Sequence, residues 1–266
     1  INLFTANRKA YQVQSGNNFL QENLRIVSDR MGWSLRMADY WGGNSSSNVI
    51  VNSSASGAIT ALGNCNAAWA TSVNPAVTNG GGVYGYTGGA SFPFDAACIG
   101  GAANYVPGSD VLVVRHADPE TLSPGPAQAG VTPAESATIS GNAKQVFLLS
   151  IPSESAQLFA GAVPTTTTVN VDRYASPYEV EMYYLRPCSV LPTGSTACTA
   201  AADGGLPLPT LMRMHLQSDG TFVSEPVIDG IEQMKFEYGV MAGTTNTAPS
   251  YMTAAAVTAA NEWADV

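Results

Sequence analysis

Charged side chains are scarce in this chain of 266 residues, because Asp, Glu, Lys and Arg together make up only 12%. That is about half of the usual share in soluble domains. Hydrophobic residues nevertheless reach 45%, which excludes intrinsic disorder, since disordered chains combine low hydrophobicity with high net charge. A formal net charge of −9 argues against a surface that binds nucleic acid. No apolar run approaches the roughly 20 residues that span a bilayer, so no span is predicted within these residues.

Residues that carry chemistry are also few. The two histidines are His116, which precedes Asp118, and His215, and no GxSxG segment supplies an activated serine. Clustered metal ligands, EF-hand spacing and a phosphate loop are absent from the sequence. Glu179 and Glu181 share one face of a predicted strand, and we interpret them as a solvated face rather than an acid/base pair. The sequence therefore predicts no enzyme activity, no metal and no cofactor, and an unrelated secreted hydrolase is disfavoured.

Four cysteines, Cys65, Cys98, Cys188 and Cys198, show no CxxC spacing, which disfavours a zinc ribbon or a thioredoxin-like motif. Three disulfide connectivities are possible. We favour Cys65–Cys98 with Cys188–Cys198, since each pair closes its own loop, and four buried thiols are the alternative. Disulfides indicate an oxidising compartment.

The N-terminal 37 residues contain no proline and are predicted to form one helix. Its apolar residues fall within about 80° of arc on a helical projection, a stripe typical of a packed helix. We expect this stripe to pack the helix onto a sheet, and we expect the helix to be the lower half of a longer one. The stripe consists of Val13, Leu20, Leu24, Val27, Met31 and Leu35.

The remainder changes character twice along the chain. From Trp41 to Val114, a stretch of 74 residues, only Asp95 and Asp110 are charged, and Gly- and Ser-rich runs indicate loops. Alternating or compact β-rich segments follow at 110–115, 144–151, 178–186, 211–217 and 231–240. The sequence predicts an α+β fold in which a long amphipathic helix packs on an antiparallel sheet. The predicted divisions are the helix at 1–40, an uncharged loop-rich region with a disulfide at 41–109, and the sheet domain at 110–266.

Two separated parts of the sequence resemble one protein family. Residues 20–25 (LQENLR) with 35–42 (LRMADYWG), and later 228–240 (IDGIEQMKFEYGV), resemble the PilW-type minor pilins of type IV pili. The resemblance brackets most of the chain but does not extend to residues 44–175. The residues that carry it are Gln21, Glu22, Asn23, Arg36, Tyr40, Trp41, Gly42, Gly230, Tyr238 and Gly239.

The resemblance implies a pilin-like fold and a non-catalytic role in priming pilus assembly, at or near the filament tip. Expected partners are other minor pilins, a tip-associated pilus protein and the inner membrane through the apolar half of the helix. Expected locations are the periplasmic face of that membrane and then the extracellular filament. The family's peptidase site, its near-terminal glutamate, that apolar half and a final strand are not found in these residues, so no docking residue can be transferred.

Two alternatives stay open. One is a minor pseudopilin of type II secretion, which shares the helix-and-sheet plan. The other is a surface adhesin or binding module that uses region 41–114, with its aromatic residues, as the contact face.

Overall fold

The computed structural model of the chain describes residues 2–60, 67–77, 79–120, 122, 133–164, 173–241 and 250–266. The chain divides into two compact units, Ile1–Arg36 and Met37–Val266. Helix α1 (Asn2–Met37) accounts for the first. It ends where Asp39 adopts a left-handed φ of 62° and the Asp39 N–H bonds the Arg115 carbonyl, at 3.1 Å, instead of a helical carbonyl.

The second unit is built from strands, short helices and 3₁₀ turns. The strands are β1 (Val49–Val51), β2 (Val83–Tyr86), β3 (Val111–Ala117), β4 (Val146–Ile151), β5 (Ser155–Ala160), β6 (Tyr174–Arg186), β7 (Thr210–Leu216), β8 (Phe222–Asp229), β9 (Tyr238–Val240) and β10 (Ser250–Met252). The helices are α2 (Ser53–Ala58), α3 (Ala67–Ala70), α4 (Pro133–Gly141) and α5 (Ala254–Ala260). The 3₁₀ turns are Ser46–Asn48, Ala96–Ile99, Ala102–Asn104, Ala202–Gly204 and Trp263–Asp265.

The long strand β6 organises an eight-stranded sheet. Its residues 178–183 pair with β3 and its residues 181–186 pair with β7, so these two neighbours lie on opposite edges. Residues 174–177 pair with β4. Strand β4 lies on the same edge of β6 as β7. The opposite edge is already occupied there, because the Asp118 N–H, just after β3, donates to the Pro177 carbonyl at 2.8 Å. One edge of β6 therefore pairs with β4 along its first residues and with β7 along its last. We call the strands that continue from β4 and from β7 the two branches of the sheet.

Beyond these neighbours, β4 pairs with β5, and β5 pairs with β1. On the other branch β7 pairs with β8, and on the opposite edge of β6 the strand β3 pairs with β2. The pairs are antiparallel except β1 with β5, which is parallel. A separate antiparallel pair joins β9 to β10. The central strands β3 and β4 are buried along their whole length, which explains why their sequences are mostly apolar and do not alternate, although β3 also buries Arg115 and His116.

The predicted fold class is wrong. The second unit is a predominantly β body with a curled mixed sheet, not a helix laid on an antiparallel sheet in the pilin manner. An antiparallel sheet of consecutive strands was expected because the β-rich segments follow one another along the chain. In the structure, β6 has 13 residues, enough to pair with three strands that are distant in sequence, and this pairing replaces consecutive hairpins.

The core extends over both branches of the sheet. On one branch, Ile139 of α4 packs with Phe147, Leu149, Phe159 and Ala175 from β4, β5 and β6. Region 41–109, predicted to be loop-rich, contributes β1, β2 and several short helices and belongs to the same compact unit as the strands that follow.

Candidate functional site

The histidines occupy structural positions in the sheet. His116 in β3 is completely buried, and its Nδ1 lies 3.0 Å from the Ala117 carbonyl oxygen. The Asp118 carboxylate accepts the Glu120 N–H at 2.8 Å, which closes the turn after β3. In the described ranges no group of three His, Cys, Asp or Glu side chains could hold a metal ion.

A charged cluster crosses three neighbouring strands. Arg213 in β7 donates from Nε to Glu181 of β6 at 2.8 Å and from Nη1 to Glu225 of β8 at 2.7 Å. Tyr183 donates its hydroxyl to the other Glu181 oxygen at 2.8 Å. His215 Nδ1 lies 4.0 Å from Glu225 Oε1. Because Glu181 is only 3% exposed, the interpretation of this face as solvated is wrong at that residue.

Glu179 lies two residues before Glu181 on the same face of β6. Burial, and next the neighbouring Glu181 charge, raise the pKa of the Glu179 carboxyl to about 7. Arg213 responds in the opposite way: burial acts to lower its pKa, but the bonds to Glu181 and Glu225 outweigh burial and raise it. Arg213 therefore stabilises the Glu181 carboxylate at neutral pH, whereas Glu179 is poised to take up a proton.

The second half of the cysteine framework is present as the Cys188–Cys198 disulfide, with a Cα–Cα distance of 5.7 Å. Cys98 is also disulfide-bonded, and Cys65, its predicted partner, lies outside the described residues.

Asp203 fixes the loop that this disulfide closes. Its carboxylate accepts the backbone N–H groups of Ser189, Val190 and Leu208 at 3.0, 2.6 and 2.9 Å. Slight burial acts to raise the pKa of Asp203, but these donors together lower it. Val190 in this loop is 64% exposed, and Leu206 and Leu208, in the segment beyond Cys198 that Asp203 also holds, are 78% and 47% exposed. The result is a rigid loop with an apolar outer surface.

A line of aromatic rings connects the uncharged region to the C-terminal segment. Successive ring centroids lie 4.4–5.4 Å apart, close enough for direct aromatic packing. The line runs Phe222, Trp69, Phe94, Tyr86, Tyr84, Trp263, Tyr238. Trp69 and Tyr84 are 4% and 3% exposed, so these two rings belong to the core, whereas Tyr86 and Phe94 are half-buried.

The late segment 228–240 is held by a buried carboxylate. Asp110, just before β3, accepts the Phe236 N–H at 2.8 Å, the Lys235 ammonium at 3.1 Å and the Gly88 N–H at 2.7 Å. The backbone N–H of Asp110 donates to the Met234 carbonyl at 2.9 Å. These bonds replace a sheet ladder, which is why residues 231–237 are not a strand although 231–240 was predicted to be one.

The three late residues of the PilW resemblance have identifiable packing roles. Gly230 has a φ of +83°, which favours glycine, and donates its N–H to Pro209 at 2.7 Å. Tyr238 is 7% exposed, and a side chain at Gly85 would collide with its hydroxyl. Gly239 pairs with Tyr251 across β9 and β10.

At the junction after α1, Trp41 is 1% exposed, donates Nε1–H to Asp39 at 2.7 Å and stacks on Tyr178 at 6.2 Å. Gly42 has a φ of +60° and leaves no space for a Cβ against Ser150. Tyr40 is 37% exposed. Trp41 and Gly42 thus anchor the entry into the sheet.

The predicted residues of α1 have varied exposure. Met31 is 7% exposed, whereas Leu24 and Leu35 are 62% and 42% exposed, and Val27 is half-buried. The side chain of Leu20 lies outside the described residues, and the role of this stripe in packing stays a prediction. Among the remaining family residues, Gln21 and Arg36 are exposed, Asn23 is 6% exposed, and Glu22 pairs with Arg25 at 3.1 Å.

Sequence reasoning missed the structural importance of Arg115, Asp110 and Arg213. Arg115 is completely buried and donates to the carbonyls of Trp69, Asn79 and Gly81. The signal in the sequence was a charged residue inside or beside an apolar strand, since charged side chains are almost never fully buried without partners.

Within the described part of the chain, no helix is both long enough and apolar enough to cross a bilayer.

Disulfide bonds such as Cys188–Cys198 are typical of proteins from oxidising compartments. Residues 197–266, about a quarter of the chain, match the family model PilW, described as Type IV Pilus-assembly protein W. The match confirms the resemblance to PilW-type proteins and supports involvement in type IV pilus assembly. It includes Gly230, Tyr238 and Gly239, whereas the N-terminal segments lie outside it. No curated protein and no solved structure matches the chain.

Proposed function

We propose that this chain is a non-catalytic minor pilin that takes part in priming type IV pilus assembly, at or near the filament tip. The observation that carries the proposal is the PilW match over residues 197–266. The matched segment includes β7 and β8 of the main sheet, and it supplies Phe222, Tyr238 and Trp263 to the aromatic line. The matched segment is therefore part of the core of the second unit rather than an appended tail.

Other minor pilins and a tip-associated pilus protein are the partners that this proposal implies. The protein would reside on the periplasmic side of the inner membrane before assembly and in the extracellular filament afterwards. Two features suit a subunit that is held among neighbours. They are the apolar surface of the Asp203-fixed loop, and the large apolar residues that α1 exposes, among them Tyr11 at 75% and Phe19 at 55%.

Deletion of the gene in the bacterium that encodes it tests the proposal. Surface pili, measured as sheared major pilin, and twitching motility are expected to fall, and the wild-type gene supplied in trans is expected to restore both. Secretion of a type II substrate is the second readout, because a pseudopilin would affect secretion instead. Normal piliation and motility would overturn the proposal. The tip location is tested by immunogold labelling of this protein on sheared pili, and gold along the filament rather than at its ends would overturn it.

A further inference from the structure

The two branches of the sheet separate at a short stretch in the middle of β6. The last β6 residue that pairs with β4 is Pro177, and the first that pairs with β7 is Glu181. Residues 178–180 lie between these two ladders, and we call this stretch the fork. In the described pairing, the fork faces β3 on one edge and neither β4 nor β7 on the other. The sheet is therefore held by fewer strand neighbours here than elsewhere along β6.

Glu179 is the charged residue of the fork. Its side chain is half-buried and lies on the same face of β6 as Glu181, since side chains two residues apart in a strand point the same way. Among the described residues, no group donates a hydrogen bond to the Glu179 carboxylate or forms an ion pair with it. A half-buried carboxylate without a donor has lost hydration and gained no partner, so burial disfavours its charged form.

The nearby cation is already engaged with other carboxylates. Arg213 donates to Glu181 at 2.8 Å and to Glu225 at 2.7 Å. Asp118, just after β3, brings a further negative charge. Burial and then the Glu181 charge raise the pKa of the Glu179 carboxyl to about 7; Arg213 opposes this effect, and Asp118 adds to it.

The other titratable groups on this face also leave Glu179 without a partner. His116 faces Glu179 from β3 and is completely buried, and His215 faces Glu181 from β7. The Tyr183 hydroxyl donates to Glu181 at 2.8 Å. Strand β4 carries no charged residue. In this part of the described structure, the charges nearest to Glu179 are therefore mostly of its own sign.

We propose that Glu179 is a proton-dependent switch at the fork: the neutral acid favours the closed fork of this structure, and the carboxylate favours a state in which the fork is open and Glu179 is hydrated. Opening restores the lost hydration and separates Glu179 from the charges of Glu181 and Asp118, whereas the neutral acid gains little from either. Local opening is easiest where the fewest neighbouring strands must be released, which is the situation at the fork. The switch acts within the second unit and does not depend on the role proposed above.

The direction and size of the effect follow from proton linkage. The pKa of Glu179 is about 7 in the folded chain against 4.5 ordinarily, so bound protons favour the closed fork. This preference is complete below about pH 4.5 and is lost as the pH rises to about 7. If the open fork gives Glu179 its ordinary pKa, the equilibrium constant for opening rises about 70-fold between about pH 5 and pH 8.

Hydrogen exchange of the complete chain, followed by mass spectrometry across this pH range, measures the opening. Rates in peptides from residues 174–186 are divided by the intrinsic exchange rate at each pH. Glu179→Gln resembles the neutral acid in shape and cannot ionise. Glu232→Gln, which alters an exposed carboxyl outside the fork, is the matched control. Carbon NMR of the Glu179 carboxyl, identified by its loss in Glu179→Gln, measures the pKa independently of any change in exchange.

We expect the opening constant of these peptides to rise about 70-fold in the parent and in Glu232→Gln, and to stay nearly constant in Glu179→Gln. Asp118→Asn keeps an acceptor for the Glu120 N–H but removes a negative charge, so the rise should level off at a lower pH than in the parent.

Three results would overturn the switch. The first is an opening constant that does not change with pH in the parent, or that rises equally in Glu179→Gln. The second is a pKa for Glu179 below about 5 by NMR. The third is exchange of the fork at the same rate as the most protected strands at pH 8, because the second unit would then unfold as a whole instead of opening locally.

Discussion

Replacing Arg115 with Met is the most direct test of how the uncharged region is held on the sheet. The guanidinium is completely buried. Nε and Nη2 both donate to the Trp69 carbonyl, at 3.0 and 2.6 Å. Nη1 donates to the Gly81 carbonyl at 2.7 Å, and Nη2 also donates to the Asn79 carbonyl at 2.9 Å. Burial lowers the pKa of Arg115, because loss of solvation disfavours the charged form.

The magnitude follows from the groups left behind. Three carbonyls lose their donor, and each buried unsatisfied group costs about 1–3 kcal/mol, so the gross loss is about 3–9 kcal/mol. Part of it is recovered, because burying a guanidinium costs several kcal/mol that Met does not incur and because water reaches the carbonyls once the loop moves. We expect Arg115→Met to lower the free energy of unfolding by about 3 kcal/mol, a large part of the roughly 5–15 kcal/mol typical of domains.

Urea unfolding followed by tryptophan fluorescence measures this change. Limited proteolysis is expected to show faster cleavage between residues 67 and 82, the segment whose carbonyls Arg115 holds. The matched control is Arg186→Met, which also removes an arginine bonded to carbonyls, those of Cys188 and Ser189, but from a half-buried position beside a disulfide. A loss below about 0.5 kcal/mol, or one equal to that of Arg186→Met, would refute the reasoning.

Three further changes test other contacts. With Glu179 at a pKa of about 7 in the folded protein against 4.5 ordinarily, ionisation favours the unfolded chain. Stability should therefore decline from about pH 4.5 through pH 7, by up to roughly 3 kcal/mol, and Glu179→Gln should remove that decline in urea titrations. Asp110→Ala leaves two backbone N–H groups without their acceptor, so the free energy of unfolding should fall by about 2–4 kcal/mol. Serine at both Cys188 and Cys198 removes a 10-residue cross-link, so calorimetry should record a lower melting temperature, equivalent to about 2.7 kcal/mol.

Each of these changes has its own control. Glu232→Gln alters an exposed carboxyl and should leave the pH dependence as it is; an unchanged decline in Glu179→Gln would contradict the assignment. Lys235→Met removes only a half-exposed ammonium from Asp110 and should cost below about 1 kcal/mol. A loss as large as that of Asp110→Ala would show that the ion pair dominates. Reduction should abolish the difference between the serine variant and the parent.

Several strands were predictable from local pattern alone. The β-rich run at 178–186 lies within β6, and the run at 144–151 covers β4. Ser218-Asp219-Gly220 is a hairpin turn signal in the sequence, and the structure has a turn there between β7 and β8, where the Gln217 N–H donates to the Thr221 carbonyl at 2.8 Å. Local pattern succeeds here because strand propensity and turn chemistry depend on neighbours in sequence.

Other features could not be read from neighbours. Residues 231–240 alternate like a strand, and Tyr238 and Val240 are buried as the alternation predicts, but Asp110 takes the bonds that a ladder would need. The parallel pairing of β1 with β5 joins residues about 107 positions apart, and no local signal encodes such a partner. The fold class was wrong for this reason.

By itself, the sequence determined the scarcity of charge, the strand-forming runs, the hairpin at residues 218–220 and the residues that resemble PilW-type proteins. Only the tertiary structure decided that the uncharged region joins the core through Arg115 and a line of aromatic rings, and that β6 pairs with strands of two branches of the sheet. The physical reason is the range of the interactions. Propensity and turns act over a few residues, whereas strand pairing and the burial of a charge depend on which distant segments meet.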